Sequence, residues 1–101
     1  MADYVKVATV PELNPGTRKT VQADGKTIAL FNVNGTIYAL DNVCRHQGGP
    51  LGEGMLEGDI VTCPWQMWES DVRTGQLVGN SSLSVATYPV QVEGDDIKVA
   101  V

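Results

Sequence analysis

The dipeptide Asn34-Gly35 lies between two apolar runs, Thr27 to Val33 and Thr36 to Leu40. A tight type I′ turn needs a positive φ at both of its central residues, and Asn-Gly tolerates that conformation well. The sequence therefore predicts one β-hairpin over residues 27–40. Elsewhere in the chain no window holds the apolar stripe of an amphipathic helix, which favours an all-β fold.

Further short segments rich in β-branched and aromatic residues predict the remaining strands. We expect them at Tyr4 to Val7, Lys19 to Val21, Ile60 to Thr62, Val72 to Arg73, Ser84 to Tyr88 with an extension to Val92, and Ile97 to Val101. Turns are expected at Asp24-Gly25, Thr74-Gly75 and Gly94-Asp95-Asp96, and one short helical turn after Thr9. The pattern is typical of antiparallel strands folded into a sandwich or barrel.

Composition limits the size of the molecule and its partners. The 101 residues, 43% of them hydrophobic, amount to one small domain, 1–101. Seven Lys plus Arg against twelve Asp plus Glu leave a net charge of -5 and no basic stripe, which disfavours nucleic acid and anionic membranes. The acidic balance suits docking onto a basic patch of a partner, or it only keeps the domain soluble. Without an apolar run of about 20 residues or a signal peptide, we expect a soluble cytoplasmic protein.

Two glycine-rich segments, 42–58 and 63–79, interrupt the strand pattern and carry the two cysteines, Cys44 and Cys63, and the single histidine, His46. Thiolate and imidazole ligands suit zinc, copper and iron. The alternative is that the cysteines are small core residues and His46 is a hydrogen-bonded loop residue. A structural disulfide is disfavoured because the cytosol is reducing. The strand at Ile60 to Thr62 joins the two segments and could bring them to one end of a sheet.

The run Cys44-Arg45-His46, then sixteen residues, then Cys63-Pro64-Trp65, resembles the cluster-binding pattern of Rieske-type [2Fe-2S] ferredoxins, C-x-H followed by C-x-x-H. The similarity to the soluble ferredoxins of ring-hydroxylating oxygenases extends through residues 26–31, 34–42, 71–75 and 87–90. The resemblance implies an antiparallel β-sandwich with a loop-rich cluster-binding subdomain at about 42–79. It also implies that Cys44 and Cys63 ligate one iron and His46 the other.

The second histidine position of that pattern holds Gln66 in this chain. A neutral amide oxygen is a poorer iron ligand than imidazole, so a cluster with Gln66 at this position should be labile. Met67 and Ser70 also depart from the resembled pattern. Glu69, Asp71, Met67, water or a partner protein could supply the fourth ligand instead, and the sequence does not select among them.

The function implied by the resemblance is electron transfer from a flavin-dependent reductase to a terminal oxygenase, by a monomeric carrier that is not itself an enzyme. No catalytic motif opposes this interpretation. One alternative is a cluster-free Rieske-fold subunit similar to the small subunit of nitrite reductase, which would serve assembly or interaction. Another is a ligand-altered variant with a different metal site. The retained Cys44, His46 and Cys63 favour the carrier, whereas Gln66 favours the alternatives.

Overall fold

The computed structural model describes residues 4–23, 25–42, 52, 54–63 and 69–100, and of residues 80–83 it describes the backbone only. The strands are β1 (Tyr4–Thr9), β2 (Arg18–Ala23), β3 (Lys26–Val33), β4 (Thr36–Asp41), β5 (Met55–Glu57), β6 (Ile60–Thr62), β7 (Glu69–Asp71), β8 (Gln76–Leu77), β9 (Asn80–Ser84), β10 (Thr87–Tyr88), β11 (Val90–Glu93) and β12 (Asp96–Ala100). A 3-10 turn covers Val10–Glu12. In this described part of the chain, no helix is long and apolar enough to cross a membrane.

The strands form three sheets in which every described pair is antiparallel. One sheet has the order β1-β12-β11, a second the order β10-β4-β3-β2, and a third the order β5-β6-β7-β8-β9. We call the first two sheets together the framework and the third the ligand sheet. The predicted all-β, antiparallel fold is confirmed.

The predicted hairpin is formed by β3 and β4, with Val33 paired to Thr36 across the turn. Asn34 and Gly35 have φ values of 53° and 95°, as a turn with two positive φ angles requires. Long pairing on both sides fixes this hairpin, because β3 also pairs along its length with β2.

The same hairpin separates two hydrophobic cores. Because successive strand side chains point to opposite faces, Ile28 and Leu30 of β3 enter the first core while Ala29 and Phe31 enter the second. All four residues are fully buried. Strands β1 and β12 cover the first core, and the second core lies between the hairpin and the ligand sheet. The hairpin therefore contributes side chains to both cores.

The helical turn expected after Thr9 is present. The Glu12 carboxylate accepts hydrogen bonds from the Thr9 backbone N–H at 3.0 Å and from its hydroxyl at 2.8 Å. These bonds lower the pKa of Glu12. Glu12, the third residue of the turn, thus binds both the backbone and the side chain of Thr9, the residue that precedes the turn.

Two strand predictions need correction, and several short strands were missed. Val72 and Arg73 form a turn after β7, because the Asp71 carbonyl accepts the Gly75 N–H at 2.7 Å and closes the chain on itself. The predicted strand from Ser84 to Tyr88 is broken at residues 85–86, since the Val85 N–H donates to the Gly75 carbonyl. Strands β5, β7 and β8 were not predicted, and of β9 only Ser84 was. Strands β5, β7 and β8 are three, three and two residues long, too short to show an alternating pattern.

Candidate metal centre

The register of the ligand sheet brings the ends of both glycine-rich segments to one edge. Met55, where the first segment rejoins the sheet, pairs with Thr62, and Thr62 pairs with Glu69. The second segment leaves the sheet at Cys63, directly after Thr62, and returns at Glu69. We call this row of Met55, Thr62 and Glu69 the ligand edge. The arrangement agrees with the expectation that Ile60 to Thr62 turns the chain back so that the two segments meet.

Of the four site residues predicted from the sequence, the structure describes Cys63. Its side chain is fully buried and belongs to the second core, beside Val61 and Phe31. Cys44, His46 and Gln66 lie outside the described residues, as do Trp65, Met67 and Trp68. Among the residues that are described, no group of three or more His, Cys, Asp or Glu side chains could hold a metal ion.

The sulfur of Cys63 belongs to a disulfide in this structure. The sequence analysis disfavoured such a bond on the ground of a reducing cytosol, so structure and expectation differ here. A thiolate is the form of cysteine that binds metal, and a disulfide sulfur is not a thiolate. Binding of an iron-sulfur cluster at Cys63 therefore requires the reduced protein.

The stretch 42–52 of the first glycine-rich segment is joined end to end by one side chain that the sequence analysis did not single out. Asn42 follows β4 and is 9% exposed, and its Oδ1 accepts the Gly52 N–H at 2.7 Å. The hydroxyl of Thr20 donates to the same oxygen at 3.4 Å. In the sequence, Asn42 stands where a predicted strand ends and a glycine-rich segment begins. Its partners Gly52 and Thr20 are 10 and 22 residues away, so the sequence did not indicate these contacts.

Of the two carboxylates considered as substitutes for the missing histidine, Asp71 already has partners. The Arg73 guanidinium donates to its two oxygens at 3.1 and 2.9 Å and also lies 3.0 Å from Asp59 Oδ2. These hydrogen bonds lower the pKa of Asp71 and raise that of Arg73. Arg73 thus forms ion pairs with two acidic neighbours, Asp71 and Asp59.

Position on the sheet also separates these two carboxylates. Asp71 pairs with Ile60, at the end of β6 opposite the ligand edge, whereas Glu69 is an exposed residue of the ligand edge itself. Ser70, between them, is 2% exposed and pairs with Val61 and Leu77. Its small side chain thus lies inside the sheet packing.

The comparisons with known proteins identify the class to which this fold and cysteine pattern belong. The family described as Rieske [2Fe-2S] domain matches residues 3–89, so the chain belongs to the Rieske [2Fe-2S] domain family. The chain is 37% identical over 98 residues to the ferredoxin component of a naphthalene 1,2-dioxygenase system of Pseudomonas aeruginosa, covering 96% of this chain and 91% of that one.

Two solved ferredoxin structures show the same fold. The ferredoxin of carbazole 1,9a-dioxygenase from Nocardioides aromaticivorans IC177 superposes with a TM-score of 0.89, at 31% identity and 98% coverage of both chains. A ferredoxin solved in complex with the reduced oxygenase of carbazole 1,9a-dioxygenase gives a TM-score of 0.88 at 28% identity, covering 96% of this chain and 92% of that one.

These relatives confirm four sequence predictions: a Rieske-type ferredoxin, a [2Fe-2S] cofactor, an electron carrier that is not a catalytic subunit, and a terminal oxygenase as partner. The alternative considered above also has a structural neighbour. A structure described as the small subunit of an NADH-dependent nitrite reductase from Mycobacterium tuberculosis has a TM-score of 0.90 at 25% identity, covering 100% of this chain and 96% of that one.

The donors of this chain fit one half of a Rieske centre fully and the other half in part. The two cysteines have the chemistry to supply the thiolates of one iron, and His46 has that to supply one imidazole for the other. The sequence holds no second histidine, so a fourth donor from this chain must be of another kind.

Proposed function

We propose that this chain carries single electrons to a terminal oxygenase through a [2Fe-2S] centre bound by Cys44, Cys63 and His46. When bound, such a centre accepts and releases one electron. The observation that supports the proposal most directly is the register of the ligand edge, where Met55, Thr62 and Glu69 bring the two ligand-bearing segments to neighbouring strand ends.

The chain's own residues contribute position and exclusion of water. Cys63 follows directly on the β6 ladder, so its backbone is held by paired strands. Its full burial beside Phe31 and Val61 keeps water from the sulfur. A low local dielectric and fixed hydrogen-bond donors are the means by which proteins tune such centres.

The fourth donor is the distinctive part of this proposal. Gln66 stands at the position of the second imidazole, and an amide oxygen cannot become an anion to compensate for its weak donation. Of the two nearby carboxylates, Glu69 is the better substitute, because it is exposed at the ligand edge whereas Asp71 is paired with Arg73. In either case we expect a centre that loses iron more readily than one with two histidines.

The remaining parts of the proposal follow from the resemblance. The electron donor is a flavin-dependent ferredoxin reductase, and the carrier works as a monomer in the cytoplasm. Residues 1–101 act as one domain, with residues of about 42–79 as the cluster-binding subdomain. The acidic balance of the chain, with a net charge of -5, supports docking onto basic patches of protein partners and not onto nucleic acid.

Replacing Gln66 with histidine tests the assignment of the fourth position. Gln66→His restores an imidazole, so the protein reconstituted under reducing, anaerobic conditions should retain more iron and acid-labile sulfide than the unaltered chain. Gln47→His, in the other glycine-rich segment, adds a histidine without restoring the pattern and serves as the matched control. Equal iron and sulfide contents in all three proteins would contradict the assignment.

A cluster-free interaction subunit is the second candidate, supported by the nitrite reductase neighbour and by Gln66. The two functions differ in what the metal-free chain binds. A stable, stoichiometric complex with a partner that co-purifies with metal-free protein would support the subunit role. A chain that remains alone until the cluster is loaded would support the carrier.

A further inference from the structure

We propose that Asn42 is the positioning residue of the stretch 42–52, which carries Cys44 and His46, because its side chain binds the far end of that stretch through the backbone N–H of Gly52. This role rests on the proposed function, because it concerns ligands of the [2Fe-2S] centre. Asn42 precedes Cys44 by two residues, and Gly52 follows His46 by six. The 2.7 Å hydrogen bond between them therefore joins the two ends of the stretch 42–52.

Asn42 is suited to this task because its own backbone is fixed. Its N–H donates to the Thr27 carbonyl at 3.1 Å, and the N–H of the preceding Asp41 donates to the Ala86 carbonyl at 2.8 Å. Thr27 belongs to β3 of the framework, and Ala86 directly precedes β10. The side-chain oxygen of Asn42 is therefore a hydrogen-bond acceptor at a fixed position. A backbone N–H that donates to this oxygen is held in place by it.

Gly52 is suited to the same contact because it has no side chain. A Cβ at this position would collide with Thr20 Oγ1 and would lie 2.8 Å from Asn42 Oδ1. The φ angle of Gly52 is not positive, so glycine is needed here because of this close approach and not because of backbone conformation. Asn42, Thr20 and Gly52 consequently form one packed contact, which we call the loop clasp.

The chain offers a matched control in a second buried asparagine. Asn32 is 3% exposed, and its Oδ1 accepts the N–H of Gly35 at 2.8 Å while its Nδ2 donates to the Leu13 carbonyl at 2.7 Å. It lies beside the turn of the β3–β4 hairpin, whereas Asn42 follows the other end of β4. The two residues make the same kind of bond to a glycine N–H, but only Asn42 borders a ligand-bearing segment.

Amide hydrogen exchange tests the loop clasp without any cluster. In the reduced, metal-free chain, Asn42→Ala should speed exchange of the Gly52 N–H by about tenfold, which corresponds to about 1.4 kcal/mol. Asn42→Asp keeps an acceptor oxygen and should preserve the protection. Asn32→Ala should leave the Gly52 N–H unchanged. Unaltered exchange in Asn42→Ala would overturn the loop clasp.

The loaded protein tests the positioning role. Asn42→Ala should lose visible absorption several-fold faster than the unaltered chain and should change the electron paramagnetic resonance g values of the cluster that remains. Asn42→Asp should restore both. Asn32→Ala should lower the melting temperature but keep the g values. If Asn42→Ala does not fold, Gly52→Ala provides the second variant, with the same loss of cluster expected from the steric clash.

The outcomes separate this inference from the proposed function. An unaltered chain that binds a cluster, with the same g values and cluster lifetime in Asn42→Ala and Asn32→Ala, would overturn the positioning role alone. An unaltered chain that binds no iron or sulfide would overturn the proposed function and, with it, any role of Asn42 toward ligands. Altered g values in Asn42→Ala together with recovery in Asn42→Asp would support both.

Discussion

The framework and the ligand sheet differ in the length of their strands. The strands of the β3–β4 hairpin have eight and six residues and form six residue pairs, whereas β5, β6 and β7 have three residues each and β8 has two. A short ladder contributes few hydrogen bonds of its own. The ligand sheet therefore depends on its packing against the hairpin through the second core, and on turns such as that at Asp71.

Under the proposed function, this difference places stability and cofactor binding in separate regions. The framework has the longer strands and a core of its own, while the ligand sheet places Cys63 at the strand end where the second glycine-rich segment begins. If the division holds, substitutions in the two regions will have different consequences. The following predictions test it, from the largest expected effect to the smallest.

Removal of the Cys63 sulfur should abolish cofactor binding and leave the framework folded. Cys63→Ser lacks a thiolate, so we expect near-complete loss of iron and acid-labile sulfide, with the β-sheet signal in far-ultraviolet circular dichroism retained. Val61→Ala, which alters a buried neighbour in the same core, is the control and should still bind iron. Full iron and sulfide in Cys63→Ser would show that this residue is not a ligand.

Two adjacent residues of β3 distinguish the cores from each other. Leu30 faces the first core and Phe31 the second, and both are fully buried. Truncation of such side chains costs about 2–5 kcal/mol for Leu30→Ala and about 3–5 kcal/mol for Phe31→Ala. Urea unfolding should show both losses, but cluster loss below the unfolding transition should accelerate only in Phe31→Ala. Equal acceleration in the two variants would mean that the two regions are one cooperative unit.

Acid should weaken the ligand sheet through Asp71. Hydrogen bonds from Arg73 lower the pKa of Asp71, so this carboxylate stabilises the fold above its unfolded pKa, and the contribution disappears as pH falls through the lower, folded pKa. Asp71→Asn should lower the urea midpoint modestly at pH 7, since partly exposed ion pairs contribute about 0–1 kcal/mol.

In strong acid the Asp71→Asn variant and the unaltered chain should converge. Glu57→Gln, which alters an exposed carboxylate of the same sheet, is the control for general loss of negative charge. A difference between Asp71→Asn and the unaltered chain that persists undiminished below the folded pKa would argue against the ion pair as its source.

Alkali should produce the smallest effect, and it should act on the framework. Burial, with a smaller contribution from the charge of Asp41, raises the pKa of Tyr88 above the usual range of a tyrosine. The neutral phenol therefore stabilises the fold below the unfolded pKa, and this contribution is lost as pH rises through the higher, folded pKa.

Replacement of the hydroxyl tests that assignment. Tyr88→Phe should flatten the fall in melting temperature between about pH 9 and 12, whereas Tyr4→Phe, at an exposed site, should not. Identical alkaline profiles in Tyr88→Phe and the unaltered chain would show that another group titrates there.

The sequence was most informative where local rules determine structure. Asn34-Gly35 predicted the hairpin because its turn requires two positive φ angles, and the strand at Ile60–Thr62 was predicted with its observed bounds. Prediction was wrong at Val72 and Arg73, where β-branched composition suggested a strand but the Asp71 carbonyl closes a turn. The strand propensity of a residue is a weak predictor when a hydrogen bond within the same few residues competes with strand pairing.

For the candidate site, the sequence indicated the types of ligand but not the contacts that hold the surrounding chain in place. The C-x-H spacing and Cys63 indicated the ligands, and the family match supports a [2Fe-2S] cofactor. The clasp of Asn42 with Gly52 and Thr20 could not be predicted, because it joins residues 10 and 22 positions apart through a side-chain oxygen. Such contacts depend on how the sheets pack, which the strand pattern alone does not determine.

Analysis of iron and acid-labile sulfide, with electron paramagnetic resonance of the reduced protein, tests the central claim most directly. The chain should be prepared anaerobically under reducing conditions, because Cys63 must be a thiolate to bind iron. The account predicts about two irons and two sulfides per chain, with a resonance signal in the reduced state. Absence of iron, sulfide and signal, even after reconstitution, would contradict the carrier function and leave a Rieske-fold interaction subunit.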